Sequence, residues 1–187
     1  MTIHNLVPLV ALALNLTLLV LVLYRDYRSR INRTFAYFLG GLAIWNFGVF
    51  MLRGSRDAAG ALFWEHAVFV GLIGVPALYY HFVLLFLNLT QRRRRLLVIA
   101  YALAAVFMVF NPTALFIRDV KLTEWGYAPV GGPMYAPFLG YMQVFMLVGL
   151  TQLALAYRGI QSSFRRNRAK LILWGTTISL LGGYVDA

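Results

Sequence analysis

Six long apolar runs constrain the fold of this chain more than any other feature of its sequence. A bilayer core of about 30 Å is crossed by about 20 helical residues, each rising about 1.5 Å. Runs of about this length cover residues 3–24, 34–52, 61–89, 96–116, 135–157 and 171–187. The strands of a membrane barrel alternate polar and apolar residues, and none of these runs shows that alternation. The sequence therefore predicts an all-α, polytopic transmembrane bundle of six helices.

The residue composition agrees with a membrane protein and excludes a soluble or disordered chain. Hydrophobic residues make up 61% of the sequence and charged residues 12%, against roughly 45–50% and 25% in soluble globular proteins. A disordered chain requires the opposite balance, with few apolar side chains and many charged ones. We therefore expect a multi-pass protein of the cell membrane.

The basic residues predict the orientation of the six helices. Of the 17 Lys and Arg residues, 13 fall in loops 25–33, 90–95 and 158–170, and the other four fall in the alternate loops. Loops rich in Lys and Arg stay in the cytoplasm, so the N-terminus is expected outside. The same loop residues account for the net charge of +11, and we expect them to contact anionic membrane lipids. No nucleic-acid partner is expected, because the clusters lie on short loops without interleaved aromatic side chains.

The C-terminal end of the chain is expected to lie on the outer face. Six helices that start outside bring residues 184–187 back to that side, and no polar tail or basic anchor follows Asp186. We therefore interpret residues 1–187 as one transmembrane domain of a longer protein, whose next helix would return to the cytoplasm.

Glu65 and His66 are the first candidate site residues, because Glu65 is the only acidic residue in the interior of an apolar run, whereas Asp186 lies at the end of the last one. The third run is longer than a bilayer core requires, so its first turns are expected in the outer interface. Two interpretations stay open there. The pair is either solvated beside Trp64 or forms a ligand or proton site at the external mouth.

A second group of polar residues is expected deeper in the membrane. Tyr80 and His81 fall near the middle of the third helix, where a polar group usually faces the bundle interior. Asn15 and Asn46 fall near the middle of helices one and two and are natural hydrogen-bond partners. These four residues either join helices, at about 0.6 kcal/mol for each hydrogen bond, or line a buried ligand pocket.

Two further features belong to the same helices and loops. Gly74, His81 and Asn88 are spaced by seven and should share one face of the third helix, which Pro76 is expected to kink. The loop of residues 117–134 combines turn-forming residues with Trp125 and other aromatic residues. It is expected to form a compact, hairpin-like cap, with Trp125 either anchored in the interface or acting as a lid.

Enzymatic chemistry is not expected from these residues. The chain has no cysteine and three histidines, and its apolar runs contain no pair of carboxylates. We therefore predict no catalytic residues, no metal site and no cofactor.

Several short motifs resemble the N-terminal seven-helix sensor region of bacterial histidine kinases. They lie across nearly the whole chain: Tyr80-His81-Phe82 with Phe86, Trp125-Gly126, Gly132-Pro133-Met134-Tyr135, Tyr157-Arg158, Arg165-Arg166-Asn167-Arg168 and Leu181-Gly182-Gly183-Tyr184. The resemblance implies a sensory module in the bacterial plasma membrane. It also implies that a cytoplasmic output domain, commonly a histidine kinase, belongs to the same full-length protein.

The function predicted on this basis is that of a two-component sensor. The module would transmit an external or membrane-borne stimulus, such as a small or lipophilic ligand, to the output domain. The candidate contacts are Glu65, His66, Tyr80, His81, Trp125, Asn46 and Asn15. A small transporter or channel subunit is the alternative, and a homodimer is left open.

Overall fold

The computed structural model describes residues 3–123, 126–157 and 163–185. The helices in chain order are α1 (Ile3–Asp26), α2 (Arg30–Arg53), α3 (Ala58–Ile73), α4 (Val75–Phe86), α5 (Arg94–Phe110), α6 (Tyr135–Tyr157) and α7 (Ser163–Val185). A short antiparallel hairpin, β1 (Ile117–Thr123) and β2 (Gly126–Gly131), lies between α5 and α6. The fold is mostly helical, as predicted, but it is not purely all-α.

Four helical segments of the described chain are long and apolar enough to cross a membrane. They are Leu6–Asp26, Arg30–Arg53, Ala58–Phe86 and Tyr135–Tyr157, of which the third joins α3 and α4. The prediction of the fourth run was wrong at its C-terminal end, since α5 has 17 residues and ends at Phe110. The chain then turns through Asn111, whose N–H still donates to the carbonyl of Phe107, and Pro112, which has no N–H to donate.

The hairpin is the compact cap that the loop composition predicted. Its strands are paired with Val120 opposite Pro129 and Leu122 opposite Tyr127. Val120 is buried in a small cluster with Leu52 at the end of α2 and Ala61 at the start of α3. The hairpin therefore folds back over the C-terminal end of α2 and the start of α3.

An aromatic cluster fills the space between α3, α5, α6 and the start of the hairpin. The rings of Phe69 and Phe116 meet with centroids 5.2 Å apart, and those of Phe116 and Phe138 with centroids 5.3 Å apart. Phe107 of α5 and Tyr141 of α6 extend the cluster toward the middle of the bundle. We call Phe69, Phe107, Phe116, Phe138 and Tyr141 the aromatic cluster below.

Small residues bring α2 and α3 into close contact. A methyl group at Gly71 would lie 2.5 Å from the carbonyl oxygen of Gly41, and one at Gly48 would lie 3.1 Å from the Cα atom of Val68. Close approach of helix backbones through small residues is a common way of packing membrane helices. The spacing of seven between Gly41 and Gly48 is the sequence signal for this contact.

The third predicted helix is interrupted at Gly74, which separates α3 from α4. Pro76 follows in the first turn of α4 and removes a backbone donor, as expected for a kink. The hydroxyl of Tyr141 donates to the carbonyl oxygen of Ile73 at 3.3 Å, from the neighbouring helix α6. A side-chain hydroxyl thus serves as partner for a backbone oxygen at the break, which is how membrane helices tolerate such interruptions.

The spacing of seven predicted that Asn88 shares a helix face with His81, and this prediction was wrong. α4 ends at Phe86, and Asn88 has a φ of +57°. The N–H of Leu89 donates to the carbonyl of Leu84 at 2.8 Å, and the N–H of Asn88 donates to that of Leu85. These two bonds form a Schellman cap, in which Asn is one of the few residues that adopt the left-handed conformation.

Candidate functional site

Glu65 is buried in the bundle rather than solvated at its surface. Only 3% of this residue is exposed, and its Oε2 atom has no hydrogen-bond partner among the described residues. The interpretation of Glu65 and His66 as a solvated interfacial pair was therefore wrong for Glu65. The reason is tertiary, because the first turns of α3 lie against the hairpin and not in open solvent.

Asn111 is a second buried polar residue near Glu65, and the sequence reasoning had not selected it. Its Nδ2 atom donates to the backbone oxygen of His66 at 2.9 Å, joining the end of α5 to α3. Its Oδ1 atom and the Nδ1 atom of His66 are both buried without a hydrogen-bond partner in the described chain. In the sequence, the one feature that points to Asn111 is its position directly before Pro112, where its polar amide ends an apolar stretch.

The positions of these residues along their helices place them at one level of the bundle. Glu65 lies one helical turn before Phe69, and Asn111 lies one turn after Phe107. Phe69 and Phe107 both contact Phe116 in the aromatic cluster. Glu65, His66 and Asn111 therefore form a polar layer between the aromatic cluster and the hairpin, and we use that name for these three residues.

The polar layer has unused hydrogen-bonding capacity. It contains a carboxylate oxygen, an amide oxygen and an imidazole nitrogen that lack partners in the described part of the chain. A buried polar atom without a partner costs about 1–3 kcal/mol, so a bound proton, a water molecule or a ligand with donor groups would be favoured there. No group of three or more His, Asp or Glu side chains among the described residues is arranged to hold a metal ion.

Tyr80 and His81 lie in a different part of the bundle and point in different directions. Tyr80 is fully buried, and its ring meets that of Phe145 on α6 with centroids 5.7 Å apart. The Nδ1 atom of His81 lies 2.9 Å from the hydroxyl oxygen of Tyr101 on α5. His81 follows Glu65 by 16 residues, about 24 Å along a helix, so the structure does not unite the two pairs in one site.

The predicted pairing of Asn15 with Asn46 does not form. The Nδ2 atom of Asn46 donates to the carbonyl oxygen of Leu42 in its own helix at 2.7 Å. The cause is the relative height of the two helices, since Leu19 of α1 lies opposite Gly40 of α2. Counting one helical turn along each antiparallel helix from this contact places Asn15 opposite Ile44 and not Asn46.

Trp125 lies outside the described residues, between the end of β1 and the start of β2 in the sequence. The described neighbours in the hairpin, Val120 and Tyr127, pack with Trp64 of α3, which is adjacent to Glu65 in the sequence. These contacts show that the hairpin reaches the level of the polar layer.

The long apolar helices define a helical membrane protein, and the buried polar layer beneath a cap is the kind of site that such proteins use for recognition or switching. The family described as the N-terminal 7TM region of histidine kinase matches residues 7–187, and the chain belongs to this family. The family indicates a membrane sensory region of a histidine kinase. No curated protein and no solved structure matches the chain.

Proposed function

We propose that this chain receives an external or membrane-borne stimulus at the polar layer and transmits it to a cytoplasmic histidine kinase domain of the same full-length protein. The observation that carries the proposal is the burial of Glu65 and Asn111 with unpartnered oxygen atoms beneath the hairpin. A stimulus changes a helix arrangement only if it binds two arrangements with different affinity. Buried oxygen atoms that lack hydrogen-bond partners in one helix arrangement bind a stimulus more strongly in that arrangement, which provides the difference in affinity.

The route of transmission follows from what the polar layer touches. Glu65 and His66 lie on α3, which continues through the break at Gly74 into α4. Asn111 joins the same helix to α5 through the backbone oxygen of His66. A change of partner at Asn111 or Glu65 would therefore move α3 relative to α5, and the interruption at Gly74 would let α4 respond by a change of angle.

The proposed orientation has the N-terminus outside and six membrane spans. It is supported by the 13 of 17 basic residues in loops 25–33, 90–95 and 158–170. Because the chain has no native cysteine, single cysteines can report the side of each loop. Ser29→Cys should be protected from a membrane-impermeant maleimide in intact cells, and Ser55→Cys should react. Labelling of Ser29→Cys from outside would overturn this orientation.

The alternative, a small transporter or channel subunit, has less support. A conduction path needs polar groups along the bundle axis, whereas the aromatic cluster fills the space between α3, α5 and α6. The polar layer ends at this cluster. We therefore favour a closed sensory bundle over a pore.

Autophosphorylation of the full-length protein in proteoliposomes tests the sensory role. Glu65→Gln keeps the shape of the side chain and removes its ability to ionise, so it should change basal autophosphorylation severalfold. Asp119→Asn makes the same change at an exposed position of β1 and should leave the activity unchanged. Equal activities of wild type and both variants, at equal amounts of inserted protein, would contradict a role for the polar layer in signalling.

A further inference from the structure

A groove runs along the first turns of α5, at the end of the helix opposite to the polar layer. Its volume is about 520 Å³, within the range of about 300–1,000 Å³ that small-molecule sites occupy. One end is polar and the remainder is apolar; the lining residues are Thr90, Gln91, Arg94, Leu97, Val98, Tyr101 and Ala102. The groove therefore has the character of a site for an amphipathic molecule.

A second groove adjoins the polar end of the first. It has a volume of about 570 Å³ and is lined by residues 91–96, including four consecutive arginines. Gln91 and Arg94 line both grooves. The combined surface thus passes from a strongly basic region to an apolar one along a single helix.

The positive charge of this surface is not balanced from within the chain. In residues 3–123, 126–157 and 163–185, Arg92–Arg95 form no ion pair with an acidic side chain. Asp26 is the one acidic residue in the predicted cytoplasmic loops, and its Oδ1 atom already accepts the N–H groups of Arg28 and Ser29. An anionic partner must therefore come from outside the described chain.

We propose that these two grooves form a binding site for one anionic phospholipid. Arg94 and Gln91 would hold the phosphate, since a guanidinium binds phosphate oxygens with two parallel hydrogen bonds. An acyl chain would lie along Leu97, Val98 and Tyr101. A soluble phosphate would leave the apolar part of the groove empty, whereas a lipid fills both parts.

The site is connected to α4 through one of its lining residues. Tyr101 lines the groove, and its hydroxyl forms a hydrogen bond with His81 of α4. A lipid chain against Tyr101 therefore supports the contact between α4 and α5. This inference does not depend on which stimulus the polar layer receives.

Native mass spectrometry of the purified chain in mixed micelles provides the test. Phosphatidylglycerol and phosphatidylcholine with identical acyl chains are added in equal amounts, and the retained ratio of the two lipids is measured. The wild-type chain should retain phosphatidylglycerol in preference. Arg94→Gln should lower this ratio about fivefold, because one arginine contributes about 1 kcal/mol to binding an anionic lipid surface.

Matched variants distinguish a specific lipid-binding site from nonspecific electrostatic attraction. Arg33→Gln removes the same charge from another basic cluster, in the first turns of α2, and should leave the ratio unchanged. Val98→Trp fills the apolar part of the groove and should lower retention of phosphatidylglycerol, whereas Val109→Trp, exposed near the far end of α5, should not. Excess inorganic phosphate should not displace the lipid.

Three results would overturn the proposal. Equal losses in Arg94→Gln and Arg33→Gln would mean that the arginines attract lipids only through net charge. An unchanged ratio in Val98→Trp would mean that no acyl chain occupies the groove. Displacement by inorganic phosphate alone would mean that the ligand is a soluble anion. Arg94 and Val98 are both exposed, and comparison of thermal unfolding curves verifies that the variants are folded.

Discussion

The Nδ1 atom of His81 lies 2.9 Å from the hydroxyl oxygen of Tyr101, and this hydrogen bond joins α4 to α5. The two rings meet edge to face with centroids 5.8 Å apart. An imidazole group within a membrane-spanning helix needs a hydrogen-bond partner of this kind. The bond thus explains how the described structure accommodates His81 at the edge of the bundle.

Tyr101→Phe should reduce the free energy of unfolding by about 0.6 kcal/mol, the average for hydrogen bonds between membrane helices. His81→Leu should cost a similar amount, and the double variant should cost less than the sum, since both changes remove one bond. Reversible unfolding in mixed micelles measures all three. Tyr37→Phe, at a tyrosine exposed on α2, is the control. Strictly additive losses would show that the bond contributes nothing.

Gly71→Ala should destabilise the chain by about 1–3 kcal/mol, because a methyl group there meets backbone atoms that cannot move aside. The nearest ones are the carbonyl oxygen of Gly41 and the backbone nitrogen of Trp45. Gly140→Ala is a matched control on α6, since nothing lies within 4 Å of its added methyl group. The midpoints of thermal unfolding compare the two variants, and equal midpoints would argue against the close contact of α2 with α3.

Glu65→Met should raise the free energy of unfolding by about 1–3 kcal/mol, because it replaces a buried, unpartnered carboxyl group with an apolar side chain. In the proposed full-length sensor kinase, the same variant should lose the stimulus-dependent part of autophosphorylation, because residues that serve function often reduce stability. Asp119→Asn should stay within about 0.5 kcal/mol of wild type. A loss of stability in Glu65→Met would indicate that bound water or a proton already stabilises the carboxyl group.

Val120→Asp should release the hairpin from α2 and α3, since it places a charge in the cluster with Leu52 and Ala61. Limited proteolysis of proteoliposomes from the hairpin side should then cut the loop many times faster. Leu122→Asp changes the same kind of side chain at an exposed position of β1 and should leave the rate unchanged. Equal cleavage of both variants would contradict the packing of the cap on the helices.

The aromatic cluster and the polar layer illustrate which parts of the site could not be predicted. α3 and α6 have no continuous polar face, so their sequences contain no pattern that indicates which face meets a neighbour. The burial of Glu65 depends on the rotation of α3 and on the hairpin that covers it. The role of Asn111 depends on where α5 ends relative to His66, a distance of 45 residues along the chain.

The sequence by itself determined the helical membrane class, the family and the position of the capping loop. These follow from the length of apolar runs, from motifs and from turn residues, which are properties of local stretches. It also supplied the charge pattern on which the proposed orientation rests. Only the tertiary structure decided that Glu65 is buried, that Asn46 bonds within its own helix and that Gly41 meets Gly71. Each of these depends on the rotation and relative height of packed helices, which the fit of side chains across the whole bundle sets.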